Sequence, residues 1–537
     1  MFSSLAGNLA NVPIQNRSSR EVPPPTTVKF PDCIPRRSER DCSKSRHDVP
    51  LVTKLREIQR PPDVKVEHLE AMRLHVIPDA SPEDVIPDGS YLPPKGWNFI
   101  PEAQLDGADQ SSLRMLNNDR YSPGVKTYVE RTKELSISNP AAFRSIRRLP
   151  AAPGDSRVRL GNAYEFFRNL ELMSSFWVDT SLPPEDQSAE SMDVDIRTAS
   201  VPELPVISPS TSSSQQGHHR TGTGSSMPNE YRVNLLHALT KLVAYDFGCN
   251  VSLPRVEPRL HISSPPVDDT RARTSSFPSN ISFVFRTPTD RSSARSGIVE
   301  GPVVTLSSRP TTGFENPTES LLDLCREITA VLITAQQRAR ETQSEVRVGE
   351  GMWWCTAPRW GGGTGGPIGR EGERLEKQEA AEQLAKREGK EDGPSPKRSK
   401  KTLSIYDSYR MVRPPSSTWD RKTRYLSIGK EPGVAFDDVF LLSALNHHVS
   451  VVRVRVPASL LDRLAGHEEQ VGGGEGRREG RREGADEECV MWRSRWYDMF
   501  LIEERVAAMR CIWGMMAYLM RKTDTKGAED KADEKIS

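Results

Sequence analysis

No two cysteines in this chain form a C-x-x-C pair. The seven that occur are scattered from Cys33 to Cys511. A disulfide framework or a structural zinc site needs paired, closer spacing, so a reducing compartment is expected. Apolar residues are scarce as well. At 35% hydrophobic content, a mean hydropathy of −0.59 and 42 prolines, much of the 537-residue length cannot bury enough surface to offset its ordering entropy. One substantial core interrupted by disordered segments is expected. Net charge is nearly absent, with 74 Lys and Arg against 73 Asp and Glu. This excludes a protein that coats a polyanion along its whole length, and nucleic acid is not the expected partner. Long hydrophobic runs are missing too. The most apolar stretch, "VAAMRCIWGMMAYLM", is too short for a membrane span and contains Arg510.

The first residues, "MFSSLAGNLANVPIQNRSSR", have neither a basic n-region nor a continuous apolar h-region, so they do not read as a secretory signal. Phe2, Leu5, Leu9 and Val12 share a helical face and no acid precedes Glu21, a partial match to a mitochondrial presequence. That helix carries no arginine, and a nuclear or cytoplasmic location is the expectation.

The chain divides by composition. Residues 1–50 form a proline- and charge-rich leader, and 51–181 carry short helices expected to drape over a core. One of these starts at Asn139-Pro140, with Asn as cap and Pro at the first helical position. Residues 182–228 read as a linker. In 229–360, "NEYRVNLLHALTKLVAYDFGCN" places Tyr231, Leu235, Leu239 and Leu242 on one stripe, widened by Leu236, Val243 and Phe247, with Gly248 as a left-handed stop. Strands are expected at "ISFVFR" and "GPVVTLSS". A second amphipathic helix, capped near Thr318, presents Leu321, Leu324, Ile328 and Ala335.

Residues 361–401 read as a glycine-rich exit, a charged helix and a basic tether, and 402–465 as the second part of the core. There "RYLSIG" is expected as a strand and "FDDVFLLSALNHH" as a short helix. In "VSVVRVRVP", Val452, Val454 and Val456 alternate with Arg453 and Arg455, which predicts a sheet with one buried face. A low-complexity linker at 466–488, a C-terminal amphipathic helix at 489–522 and a disordered tail at 523–537 complete the chain. The fold class expected is α+β: one discontinuous domain with a small mixed or antiparallel sheet.

Chemistry is thinly signalled. Gly361, Gly363 and Gly366 satisfy G-x-G-x-x-G, but Pro358 breaks any strand leading into them. The helix that follows offers only Leu375 and Leu384 for packing, so no cofactor is expected there. His447 and His448 follow Asp437 and Asp438, which is the basis of an enzyme reading. Neighbours on a strand point to opposite faces, however, and no third metal ligand stands at a compelling spacing. "HEEQV" at His467 lacks the second histidine of H-E-x-x-H.

Two signals suit an interaction protein better. Trp353, Trp354 and Trp360 cluster either to seal the domain edge or to form a groove for a proline-rich segment of another protein. The chain holds such segments itself in "EVPPPTT" and "VRPPSSTW". In "GPSPKRSKK", Lys397, Arg398, Lys400 and Lys401 form a cluster of the nuclear-import type, and Ser395 before Pro396 suits a proline-directed kinase. The stretches "MWWCTAPRWGGGTGG" and "DDVFLLSALNHHVSVVRVRV" resemble uncharacterised filamentous-fungal proteins over the second half of the chain. That resemblance implies no activity and transfers no site residues.

Overall fold

The structure is a computed structural model. It describes residues 28–32, 51–58, 63–150, 154, 156–176, 178–179, 218–219, 227–252, 258–263, 274–286, 298–309, 311, 313–314, 316–340, 424–431, 433–466 and 488–523.

A nine-stranded mixed sheet organises the chain. Its strands are β1 (Leu74–Ala80), β2 (Cys249–Ser252), β3 (Ile281–Arg286), β4 (Ile298–Arg309), β5 (Arg424–Leu426), β6 (Phe436–Leu445), β7 (His448–Pro457), β8 (Cys489–Ser494) and β9 (Tyr497–Asp498). The order across the sheet is β1-β8-β7-β6-β4-β3-β2, with β9 beside β7 and β5 beside β4. Pairing is parallel for β1 with β8, β6 with β4 and β4 with β5, and antiparallel elsewhere. The fold class is α+β, as the composition implies, but the sheet is large and not the small one expected.

Helices cover both faces, so the expectation of a single buried face is corrected. On one face, Phe440, Leu442, Ala444, Val449 and Val451 pack with α3 (Val125–Leu135), α4 (Asn139–Ile146), α5 (Tyr164–Met173), α6 (Asn229–Ala244) and α9 (Ile502–Leu519). On the other, Val439, Leu441, Val452, Val454 and Val456 meet α7 (Pro317–Ala339), α8 (Ala458–Leu464) and residues of α1 (Leu51–Arg56) and α2 (Val66–Ala71). Central strands buried on two faces become apolar throughout instead of alternating. That explains why "FDDVFLLSALNHH" reads as a helix. Its run from Val439 to Leu445 has no period-two signal, and it forms β6.

Four other expectations change. The segment from Val490 is not helical from its start: β8 and β9 precede a helix that begins at Ile502. Trp492, Trp496 and Met499 stand four and three residues apart, which imitates a helix, while Cys489 and Met491 show the buried alternation of a strand. The short helices before residue 150 do not merely drape over the core, because Tyr128, Leu135, Phe143 and Ile146 are built into it. In α4 the capping position falls to Ser138. Asn139 instead donates from Nδ2 to the Phe500 carbonyl at 2.8 Å and accepts from Arg505 Nη1 at 2.6 Å. The second long helix starts after Asn316, with Pro317 in its first turn, earlier than Thr318.

The stripe expected on α6 is buried at Leu235, Leu236, Leu239, Leu242, Val243 and Phe247. Gly248 follows with φ of 72°, a left-handed value that side chains other than glycine disfavour.

On α7 the buried apolar stripe carries a row of polar residues that no periodicity rule picks out. Asp323 and Glu327 both receive Arg309 of β4, Glu327 also receives Arg493 of β8, and the Ser443 hydroxyl of β6 donates to Glu327. Thr334 meets Thr305, and Arg338 reaches Asp437. The helix is thereby fixed in register against three strands by two acids against two arginines, and by one further matched pair.

Candidate functional site: a histidine–carboxylate cluster under an aromatic slot

β6 and β7 are joined by the two-residue turn Asn446-His447. Asn446 has φ of 51°, a left-handed conformation that asparagine tolerates better than most side chains. His447 therefore lies in the turn and not in the strand, and the alternation that would send the two histidines to opposite faces does not apply. Their ring centroids are 4.2 Å apart.

β9 supplies the acid. It runs antiparallel to the start of β7, pairing His448 with Asp498 and Val449 with Tyr497. The Met499 N–H donates to the His447 carbonyl at 3.1 Å, which ties the turn to β9. The Asp498 carboxylate then faces both rings, with His447 Nε2 at 3.7 Å from Oδ1 and His448 Nε2 at 3.8 Å from Oδ2. One donor atom from each of the three residues lies within 4.8 Å of the other two. Asp498 is itself positioned: its Oδ1 accepts the Phe500 N–H at 2.8 Å, and its own N–H donates to Glu504 Oε2 at 2.6 Å. The other Glu504 oxygen accepts Arg495 Nη1 at 3.1 Å.

Aromatic rings close the cluster. Phe500 sets its ring edge-to-face with His447 at 5.2 Å. Phe30, from the leader, stacks on Trp496 at 5.4 Å with planes 10° apart and meets His448 edge-to-face at 4.9 Å. Burial lowers the His447 pKa well below the ordinary histidine value, and the neighbouring His448 lowers it further. Burial also takes His448 down to about 4, against the opposing pull of Glu504. Asp498 is raised by burial, against the Phe500 N–H that favours its charged form. Both imidazoles are thus neutral near pH 7, the form that coordinates metals.

The acids expected from the sequence are elsewhere. Asp437 pairs with Val456 and Asp438 with Arg455, whereas His448 pairs with Leu445, eight residues along β7 from Val456. At about 3.3 Å per residue this separates the aspartates from the histidines by about 26 Å. Asp437 is bound by Arg338, and Asp438 by Arg455 and Arg453. An acid–base site combining His447 or His448 with Asp437 or Asp438 is therefore corrected. Arg453 and Arg455 are not a free cationic face either: Arg453 is buried, lies 3.7 Å over the Trp492 ring and donates to the Asp84 carbonyl.

Trp353, Trp354, Trp360, Ser395, Lys397, Arg398, Lys400 and Lys401 lie outside the described residues, as do residues 361–401 as a whole. Contributors to the cluster that escaped the sequence reading include Asp498, Phe500, Trp496 and Phe30. Asp498 and Trp496 were hidden because their segment imitates a helix, and Phe30 because it stands more than 400 positions from its partners. Its one signal was local: an aromatic residue directly after "EVPPPTTVK".

No family model, curated protein or solved structure matches this chain. The reading of the site rests on its own geometry. No helix among the described residues is long and apolar enough to cross a membrane.

Proposed function

We propose that this is a non-enzymatic interaction protein, nuclear or cytoplasmic, whose α+β core takes short extended segments of another protein into the slot between Trp496 and His448. The observation that carries this reading is Phe30 in that slot. The chain's own leader occupies it, with Val28 buried and the Asp32 N–H donating to Ser320 Oγ on α7 at 3.4 Å. Phe30 remains 37% exposed, so this cis ligand is shallowly held and exchangeable. The segment follows three consecutive prolines, Pro23 to Pro25. A proline run is already extended before binding, which lowers the entropy lost on docking. The partner inferred carries the same chemistry: a proline-flanked segment with one aromatic anchor.

The sequence adds a regulated tether to this proposal. The basic cluster Lys397, Arg398, Lys400 and Lys401 would direct nuclear import, and a phosphate on Ser395 would weaken it by pairing with those cations.

A labelled peptide covering Glu21 to Asp32 tests the slot by fluorescence anisotropy. It should saturate the full-length Phe30→Ala protein, bind wild type much less well because the cis segment competes, and lose binding to a Phe30→Ala/Trp496→Ala protein. A peptide that ignores Phe30→Ala protein, or binds it equally without Trp496, would overturn the reading.

A further inference from the structure

We propose that His447, His448 and Asp498 form a binding site for one divalent transition-metal ion of the zinc class. The inference stands whether or not the aromatic slot accepts another protein: it shares the His448 ring with the slot but rests on the ring nitrogens and the Asp498 carboxylate.

The donor set comes first. Two imidazoles and one carboxylate suit zinc, nickel, copper or iron, and do not suit magnesium or calcium, which prefer all-oxygen shells. Three protein ligands would leave a fourth, tetrahedral position open for water or another donor.

The spacing comes second. At 3.7 and 3.8 Å, the two Nε2-to-carboxylate separations are too long for N–H···O hydrogen bonds, which span about 2.7–3.2 Å. Ligands bound at about 2.0–2.2 Å around a tetrahedral ion lie about 3.3 Å apart. The two nitrogen-to-carboxylate gaps close to that spacing with about half an ångström of movement, and the widest donor separation, within 4.8 Å, with up to about 1.5 Å, through ring and carboxylate rotations. The three groups are thus held too far apart to satisfy one another directly and close enough to share an ion.

The third observation is a buried polar atom. His448 Nδ1 is enclosed and has no hydrogen-bond partner among the described residues, while Nε2 is out of hydrogen-bond reach of Asp498. An enclosed ring nitrogen without a partner is costly, and such atoms in folded proteins call for an explanation. An ion on Nε2 would fix the proton on Nδ1, so this enclosed nitrogen sets the tautomer of the bound ring and does not by itself call for the ion. The acid is already oriented for an ion by the Phe500 N–H, the kind of outer hydrogen bond that fixes metal-binding carboxylates. Burial keeps both rings in the neutral, ligating form.

The test uses the full-length protein, stripped with a chelator and kept reduced. Co²⁺ titration should give ligand-field absorption bands that saturate at one equivalent from this site and disappear when Zn²⁺ is added. His448→Ala and Asp498→Asn should each weaken binding by at least about 10–100-fold, the loss expected even from an outer-shell partner. His75→Ala, an exposed histidine on β1, should bind as wild type does. X-ray absorption of the zinc-loaded wild type covers the case in which a variant fails to fold. It should show a shell of nitrogen and oxygen only, with scattering from two imidazoles. Absence of Co²⁺ binding by wild type, folded variants that bind undiminished, or sulfur in the zinc shell would each overturn the proposal.

Discussion

Arg338 closes its guanidinium fork on Asp437, with Nε 2.7 Å from Oδ2 and Nη2 3.1 Å from Oδ1. The remaining nitrogen, Nη1, donates to the carbonyls of Pro302 and Ile428 at 3.0 and 2.9 Å. Both side chains are buried, so the last turn of α7, β4, β6 and the segment after β5 meet at one cation whose three nitrogens all donate. Asp437→Asn removes the balancing charge and leaves that cation enclosed. We expect a loss of about 3–5 kcal/mol in denaturant unfolding. A loss below about 1 kcal/mol would mean that water reaches the guanidinium.

Glu327 gathers Arg309, Arg493 and the Ser443 hydroxyl from three strands, β4, β8 and β6. Groups in one such network do not contribute independently. A double-mutant cycle of Arg309→Met and Glu327→Gln should give a coupling of about 1–3 kcal/mol, because either change alone removes one counter-charge from the other partner and unbalances the buried network. Additive losses would show that the two side chains act separately.

His237 on α6 meets Ser282 Oγ of β3 at 2.9 Å. Burial, with Lys241 one turn along the helix, takes its pKa down to about 4 from an ordinary 6.5. Between those values the unfolded chain binds the proton and the folded chain does not. Stability from this group is therefore complete above about pH 6.5 and is lost as pH falls toward 4. The full swing is up to about 3 kcal/mol before solvent screening reduces it. His237→Gln keeps a partner for Ser282 and cannot titrate, so the stability difference between the two proteins should change with pH across this window. His447 and His448 add losses of the same sign in both proteins, which the subtraction removes. A constant difference from pH 7 to pH 4 would refute the assignment.

Gly514 lies inside α9, where a glycine weakens a helix by about 1 kcal/mol relative to alanine. It is kept there by contact. A Cβ at this position would come within 2.5 Å of Leu92 Cδ2, 3.1 Å of its Cγ and 3.3 Å of its Cα. The side-chain end can swing away, but the Leu92 backbone cannot. Gly514→Ala should therefore destabilise by about 1–2 kcal/mol despite its better helix propensity, and Leu92→Ala, costly in itself because Leu92 is buried, should cost less in the Gly514→Ala protein than in wild type. Thermal melts of the single and double variants decide; a stabilised Gly514→Ala protein would mean that the two elements can separate freely.

The sequence by itself determined the elements whose apolar residues repeat with an unambiguous period. α6 and α7 were legible because a helix buried on one side writes a 3.6-residue stripe, and β3 and β4 because their apolar runs are short and bounded by polar loops. The valines of β7 announced a strand for the same kind of reason. Tertiary structure alone decided the rest. A strand covered on both faces loses its alternation, so β6 could not be told from a buried helix, and the sheet's size stayed hidden with it. Spacing along the chain made His447 and His448 a poor pair and offered Asp437 and Asp438 as their acids. The turn at Asn446 reversed both judgements: it brings the two rings together, leaves the aspartates at the far end of β7 with Arg338, Arg453 and Arg455, and lets β9 deliver Asp498. Which carboxylate meets which histidine depends on strand register and hairpin geometry, and those follow from packing between segments that no local pattern relates.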